Sequence, residues 1–244
     1  MKFLFLFDVD GTITESGEKM KKSHIDIMNK VKNIHDIGIV GGGKFEKIIE
    51  QTNGVNFNYY FSECGSVYHD ENHNLVYKKN IRKHSTYDKI NSLIKLALKF
   101  LSQVEYNITG NFVDLRNGLI YISLIGLSAN SEERKYFMDL DKIHNYRKTL
   151  LDILNQKSQE LEIHDKVTIL FGGSVGIAIF PIEYDKEQVI NYIDTAPYSK
   201  IFYFGDKYLP DGNDYKLLNH PNITPYNIDI VSQTYNILES LLES

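Results

Sequence analysis

The chain has 244 residues, of which 42% are hydrophobic and 24% charged, with a formal net charge of −5. That is room for one large or two small domains of ordinary globular composition, and the acidic balance with dispersed basic residues excludes a typical nucleic-acid binder. A single cysteine, Cys64, excludes an internal disulfide; no run approaches a membrane span and the apolar start is too short for a signal peptide, so a soluble cytoplasmic protein is expected.

The first element is the wholly apolar run Phe3–Phe7, which reads as a strand buried on both faces of a parallel sheet. It runs into Asp8, Val9, Asp10, Gly11 and Thr12. In open α/β sheets reactive groups sit beyond the carboxyl ends of strands. Two carboxylates there can hold a hard cation such as Mg²⁺, or serve as nucleophile and acid/base.

Residues 20–32 carry apolar side chains at helical spacing and predict a crossover helix. Residues 37–40 predict a strand that ends in Gly41-Gly42-Gly43-Lys44, and residues 45–51 a helix. Gly38 to Lys44 matches the start of a P-loop, but Phe45 stands where Ser or Thr should reach Mg²⁺, and Gly38 precedes the apolar residues. The stretch reads better as a glycine-rich turn, with Gly42 and Gly43 offering N–H groups to a phosphate. A third strand is expected at 59–61, a hairpin over 66–77 with its turn at 70–74, and a long amphipathic helix over 87–101. The polar stretch before that helix marks a domain boundary.

Residues 111–116 and 119–124 alternate around Asn117-Gly118, a strong hairpin signal. A two-residue loop puts Phe112, Asp114, Arg116, Leu119, Tyr121 and Ser123 on one face, with Arg116 in the open. Asn130 or Ser131 can cap a helix over 132–140. Arg134 in its first turn is either a solvated side chain beside Glu132 and Glu133 or an anion ligand at the helix start. A second helix over 146–161 and strands over 167–171 and 175–180 complete an α+β unit with an antiparallel sheet.

Lys186 is expected to open a helix to residue 193. Residues 201–204 form another apolar strand, followed by Gly205-Asp206-Lys207 and then Asn213-Asp214. Paired with the first acidic loop, Asp206 and Asp214 predict a metal site drawn from two strand tips, with Lys186 neutralising the crowded carboxylates and a transferring phosphoryl group. Residues 227–230 and a helix over 232–242 close the chain.

FDVDGT resembles the haloacid-dehalogenase superfamily. With GGGKFEK, LRNGLIYIS, EER, FGG and FGDKxxPxGND in this order, the whole chain resembles the eukaryotic-type phosphomannomutases. The resemblance implies an α/β Rossmann-like core over 1–80 and 183–244, interrupted by an α+β cap over 81–182. It implies Asp8 as phosphorylated nucleophile, Asp10 as acid/base, Lys186 beside them, and Mg²⁺ held by Asp8, Asp10, Asp206 and Asp214. Arg116 and Arg134 match cap arginines that hold the distal phosphate. The implied activity is interconversion of mannose 6-phosphate and mannose 1-phosphate through a hexose bisphosphate, by a homodimer joined through the cap.

Several positions depart from that pattern. Gly17 and Leu127 stand where the family has arginines, and Gly176 and Ala178 where it offers Ser and Asp to the substrate. Lys44, Cys64 and His220 replace Asp, Asn and Asp. Each lost charged phosphate contact weakens binding by about 1.5–3 kcal/mol unless something such as Lys44 or Lys207 compensates. Two alternatives therefore stay open: a Mg²⁺-dependent sugar-phosphate phosphatase or mutase of altered specificity, and a non-catalytic dimer that binds a phosphorylated ligand or a protein.

Overall fold

A computed structural model describes residues 2–243. The chain divides into two units, Met1–Lys79 with Tyr184–Ser244, and Asn80–Glu183 between them.

The first unit is built on a seven-stranded sheet. In chain order its strands are β1 (Phe3–Phe7), β2 (Asp36–Val40), β3 (Tyr59–Ser62), β4 (Val67–Asp70) and β5 (Leu75–Lys78), then β10 (Lys200–Gly205) and β11 (Thr224–Asn227). Their spatial order is β11-β10-β1-β2-β3-β4-β5. The first five of that order run parallel, and β4 and β5 return antiparallel as the hairpin. Helices α1 (Lys22–Lys32), α2 (Phe45–Gln51) and α6 (Tyr215–Leu218) lie between strands, and α7 (Val231–Glu243) follows β11.

Alternation along β1 explains its apolar run. Phe5 and Phe7 join a core with Met28, Val31 and Leu238, while Leu4 and Leu6 join a second with Val40, Phe61 and Tyr203. Such a strand has no polar face because both faces are covered. Its register sets Phe7 beside Phe204 and Ile39, and the Asp8 N–H donates to the Phe204 carbonyl at 2.9 Å. The acidic loops after β1 and β10 thus leave the sheet at the same carboxyl edge.

Three local expectations change. The segment after Lys186 is a 3₁₀ helix, Lys186–Tyr192, opened by an i→i+3 bond from Gln188 N–H to the Asp185 carbonyl. A last strand lies at Thr224–Asn227, where the sequence marks none; it contains Pro225, which an edge strand tolerates. Helix α1 starts at Lys22, because the Met20 N–H is taken by the Gln51 carbonyl.

The second unit has helices α3 (Tyr87–Leu101), α4 (Ser131–His144) and α5 (Tyr146–Glu160), and strands β6 (Val113–Leu115), β7 (Ile120–Ser123), β8 (Val167–Gly172) and β9 (Gly176–Pro181). Its antiparallel sheet has the order β6-β7-β9-β8. Helix α5 packs on β8 and β9, and α3 on α5. Ile90, Leu93, Leu150, Leu154, Ile120, Ile122, Ile177 and Ile179 are buried here. Asn130 caps α4 with a full capping box to Glu133, and Asn145 ends it in a left-handed conformation. The helix therefore runs past residue 140.

Candidate active site

At the carboxyl edge of the parallel sheet, side-chain oxygens of Asp8, Asp206 and Asp214 lie within 4.8 Å of one another. Lys186 lies among them. Its Nζ donates to Asp8 Oδ1 at 2.5 Å and to Asp214 Oδ1 at 2.7 Å, and its side chain is fully buried. Gly11 makes the convergence possible: its φ is +91°, and a Cβ there would stand 2.5 Å from Asp206 Oδ2.

Burial pushes the Asp8 carboxyl up; Lys186 opposes that and the Asp214 and Asp206 carboxylates add to it, leaving it at about 8. Burial alone would push Lys186 down, but Asp214 and Asp8 more than reverse this, so its ammonium is held well above the ordinary lysine range. Asp206 is likewise raised, by burial first, against the pull of Lys207, whose Nζ bonds it. Asp206 Oδ1 is buried with no hydrogen-bond partner. Three clustered carboxylates, one with an orphaned buried oxygen, fit a hard divalent cation.

Asp10 is held differently. Its carboxylate, expected as a fourth metal ligand, accepts from Lys47 Nζ at 3.0 Å, Gln51 Nε2 at 2.8 Å and the Gly17 N–H at 2.7 Å. Burial works upward on its carboxyl, yet Lys47, Gly17 and Gln51 together hold it below the usual range. Gly17, where the resemblance has an arginine, thus contributes a backbone donor. Lys47→Ala is expected to raise the Asp10 pKa and move the acidic limb of the kcat/KM profile upward, with kcat falling about 10- to 100-fold as the carboxylate loses its place. An unmoved limb would show that Lys47 does not govern Asp10.

Sequence reasoning passed over Lys47, Gln51 and Tyr203. The first two sit at i,i+4 on α2, directly after the glycine turn, and that spacing was the available signal. Tyr203 is the one hydroxyl in an apolar strand; it is fully buried and donates to Asp214 Oδ1. The Gly41 N–H is taken by the Phe61 carbonyl at 2.9 Å, and the Gly41 and Gly43 carbonyls accept from Cys64 and Glu63. Gly42 and Gly43 are half-buried. Lys207, a candidate substitute for the missing arginines, is bound to Asp206. His220 Nδ1 accepts from the Asn222 N–H.

In the second unit Arg116 is not in the open. Its side chain is 13% exposed and its Nε donates to Asp114 Oδ2 at 2.8 Å, because register sets both on one face of the hairpin. Arg134 is half-buried and its Nε reaches back to the Ala129 carbonyl at 3.1 Å, while Glu133 serves the capping box. Gly176 and Ala178 are buried on β9.

The arrangement is that of a haloacid dehalogenase-like fold. A structure so described from Bacteroides thetaiotaomicron superposes with a TM-score of 0.59 at 11% identity, over 99% of this chain and all of the other. The trehalose-6-phosphate phosphatase C-terminal domain of C. albicans gives a TM-score of 0.63 at 14% identity, over 99% and 92%. At those identities the likeness speaks for the fold. The model of the eukaryotic phosphomannomutase family matches residues 24–244. "Phosphomannomutase 1" of Dictyostelium discoideum is 33% identical over 97% of this chain and 95% of its own length, and the Drosophila melanogaster phosphomannomutase 32% identical over 99% and 96%. The chain belongs to the eukaryotic phosphomannomutase family. Among the described residues no helix is long and apolar enough to cross a membrane.

Proposed function

We propose that the protein is a phosphohexomutase that interconverts mannose 6-phosphate and mannose 1-phosphate. The observation that carries the reading is the meeting of Asp8, Asp206 and Asp214 around Lys186, in a chain of this family. Asp8, as aspartyl-phosphate, gives its phosphoryl group to the free hydroxyl of a hexose monophosphate, while Asp10 takes the hydroxyl proton. The product is a hexose bisphosphate and a free Asp8 carboxylate. After the bisphosphate turns over, an Asp8 oxygen attacks its other phosphorus, the bond from that phosphorus to the sugar oxygen breaks, and Asp10 returns the proton to that oxygen. The same bisphosphate, added as activator, would phosphorylate a resting Asp8.

Lys186 stays cationic and offsets charge beside Asp8. Mg²⁺, held by Asp8, Asp206 and Asp214, would neutralise the transferring phosphoryl group. Arg116 and Arg134 bind the phosphate that is not transferred. Self-association through the inserted unit belongs to the same reading; Tyr136 and Ile143 of α4 stand exposed there.

A second reading, a sugar-phosphate phosphatase, draws on Gly176 and Ala178, which offer no polar side chain to retain a bisphosphate while it turns. The two separate cleanly by ³¹P NMR of the protein with Mg²⁺ and mannose 6-phosphate, with and without hexose bisphosphate. Activator-dependent appearance of mannose 1-phosphate with little inorganic phosphate is expected. Phosphate release that outpaces interconversion would replace the mutase by the hydrolase.

A further inference from the structure

Strand β9 carries no side chain at Gly176 and a single methyl at Ala178, the positions where the family's Ser and Asp ligands are expected. The space over Gly176 is filled from the neighbouring strand. Tyr121 of β7 pairs in register with Ala178, and its ring lies against the backbone of the β8–β9 hairpin. A Cβ at Gly176 would stand 2.4 Å from Tyr121 Cζ, and one at Gly172 2.6 Å from Cε2. No residue but glycine leaves room for the ring at either place. The phenol hydroxyl donates to the Gly172 carbonyl at 3.0 Å.

Tyr121 also meets Arg116. The guanidinium carbon is 5.3 Å from the ring centroid, within the range where a cation is attracted to an aromatic face. Asp114, the register partner of Tyr121 on β6, accepts from Arg116 Nε. Glycine backbone, phenol and guanidinium are thus joined in sequence, with a carboxylate holding the guanidinium by one edge. An arginine side chain has many rotamers, and these supports restrict them.

We infer that Tyr121 is a positioning residue for Arg116: seated on Gly172 and Gly176, its ring sets where the guanidinium meets the non-transferred phosphate of a hexose phosphate. This rests on the reading of Arg116 as a phosphate ligand. The polar ligands missing from β9 are replaced by a prop beneath the arginine.

Full-length variants, each checked for cooperative thermal unfolding, test the inference through KM, kcat and inhibition by inorganic phosphate. Tyr121→Leu keeps bulk but removes the ring; it should raise KM and the phosphate inhibition constant by about 10-fold, with kcat within about twofold. Tyr121→Phe keeps the ring and should stay within about threefold of the parent. Arg116→Ala is the control. A rise in KM for Arg116→Ala with none for Tyr121→Leu would overturn the positioning role alone. An unchanged KM for Arg116→Ala would overturn the phosphate reading and the inference with it.

Discussion

Lys186→Ala is expected to lower folding stability by about 3–5 kcal/mol at neutral pH, the usual consequence of leaving buried charges uncompensated. Lys186 is fully buried and bonds both Asp8 and Asp214, themselves almost wholly buried. Removing the ammonium leaves two carboxylates beside Asp206, with Tyr203 as one remaining donor to Asp214. For a chain of this length the loss corresponds to a fall in Tm of roughly 2–4 °C per kcal/mol. The deficit should depend on pH. In the parent the Asp8 carboxyl, raised to about 8, keeps its proton through neutral pH, and without the cation it holds that proton more tightly still. The deficit should therefore stay level between about pH 5 and 7 and widen above about pH 8, where the parent gains an Asp8–Lys186 charge pair and the variant does not. Thermal unfolding of parent and variant in chelator across that range measures it. A constant deficit, or none, would show that Lys186 is not the counter-charge of the site. Phosphoryl transfer should vanish alongside, because Asp8 loses the group that orients it and works against its protonation.

Asp8→Asn should separate activity from stability. Transfer is expected to fall by on the order of 10³-fold or more, as removal of a covalent nucleophile does. The fold should be kept or strengthened in chelator, because an amide oxygen can still accept from Lys186 without adding a third negative charge. The sign follows from the raised Asp8 carboxyl. Between 3.8 and about 8 the folded protein holds this proton more tightly than the unfolded chain. Stability from this group is therefore full below that window and is lost as pH rises through it. Asp8→Asn removes that slope, and a divalent cation should restore stability to the parent far more than to the variant. Calorimetry with and without Mg²⁺, and ³²P transfer to the protein, test both halves. Residual transfer near the parent rate would move the nucleophile elsewhere, and an unchanged pH slope would deny Asp8 its place in the carboxylate cluster.

Much of the fold could be read ahead of the structure where burial dictates pattern. Phe3–Phe7 is apolar throughout because it lies between two cores, and the Asn117-Gly118 hairpin paired Asp114 with Tyr121 in the expected register. The acidic pairs after β1 and β10 were legible because strand-end loops carry their own residue types. What escaped was decided by contacts distant in sequence. Pro225 disguised an edge strand, and nothing local says that β10 will pair with it. Arg116 was placed on the correct face, yet its exposure depended on Asp114 and on the aromatic ring beside it. Lys47 and Gln51 resemble surface helix residues until Asp10, 37 and 41 positions earlier, is brought against them. Tyr203 follows the same logic, since its partner Asp214 is contributed by a loop after the strand ends.

The bond between Asp8 and Lys186 joins positions 178 apart, and β1 takes its neighbour on one side from residues 200–204. During synthesis the central strand therefore emerges long before its second partner. The inserted unit, whose sheet pairs only with itself, can fold in the interval. Until residues 200–204 leave the ribosome, the β1 flank is a bare hydrogen-bonding edge of phenylalanine and leucine, open to pairing with other nascent chains. The order of chain elongation thus makes this half-built sheet the stage most open to misassociation.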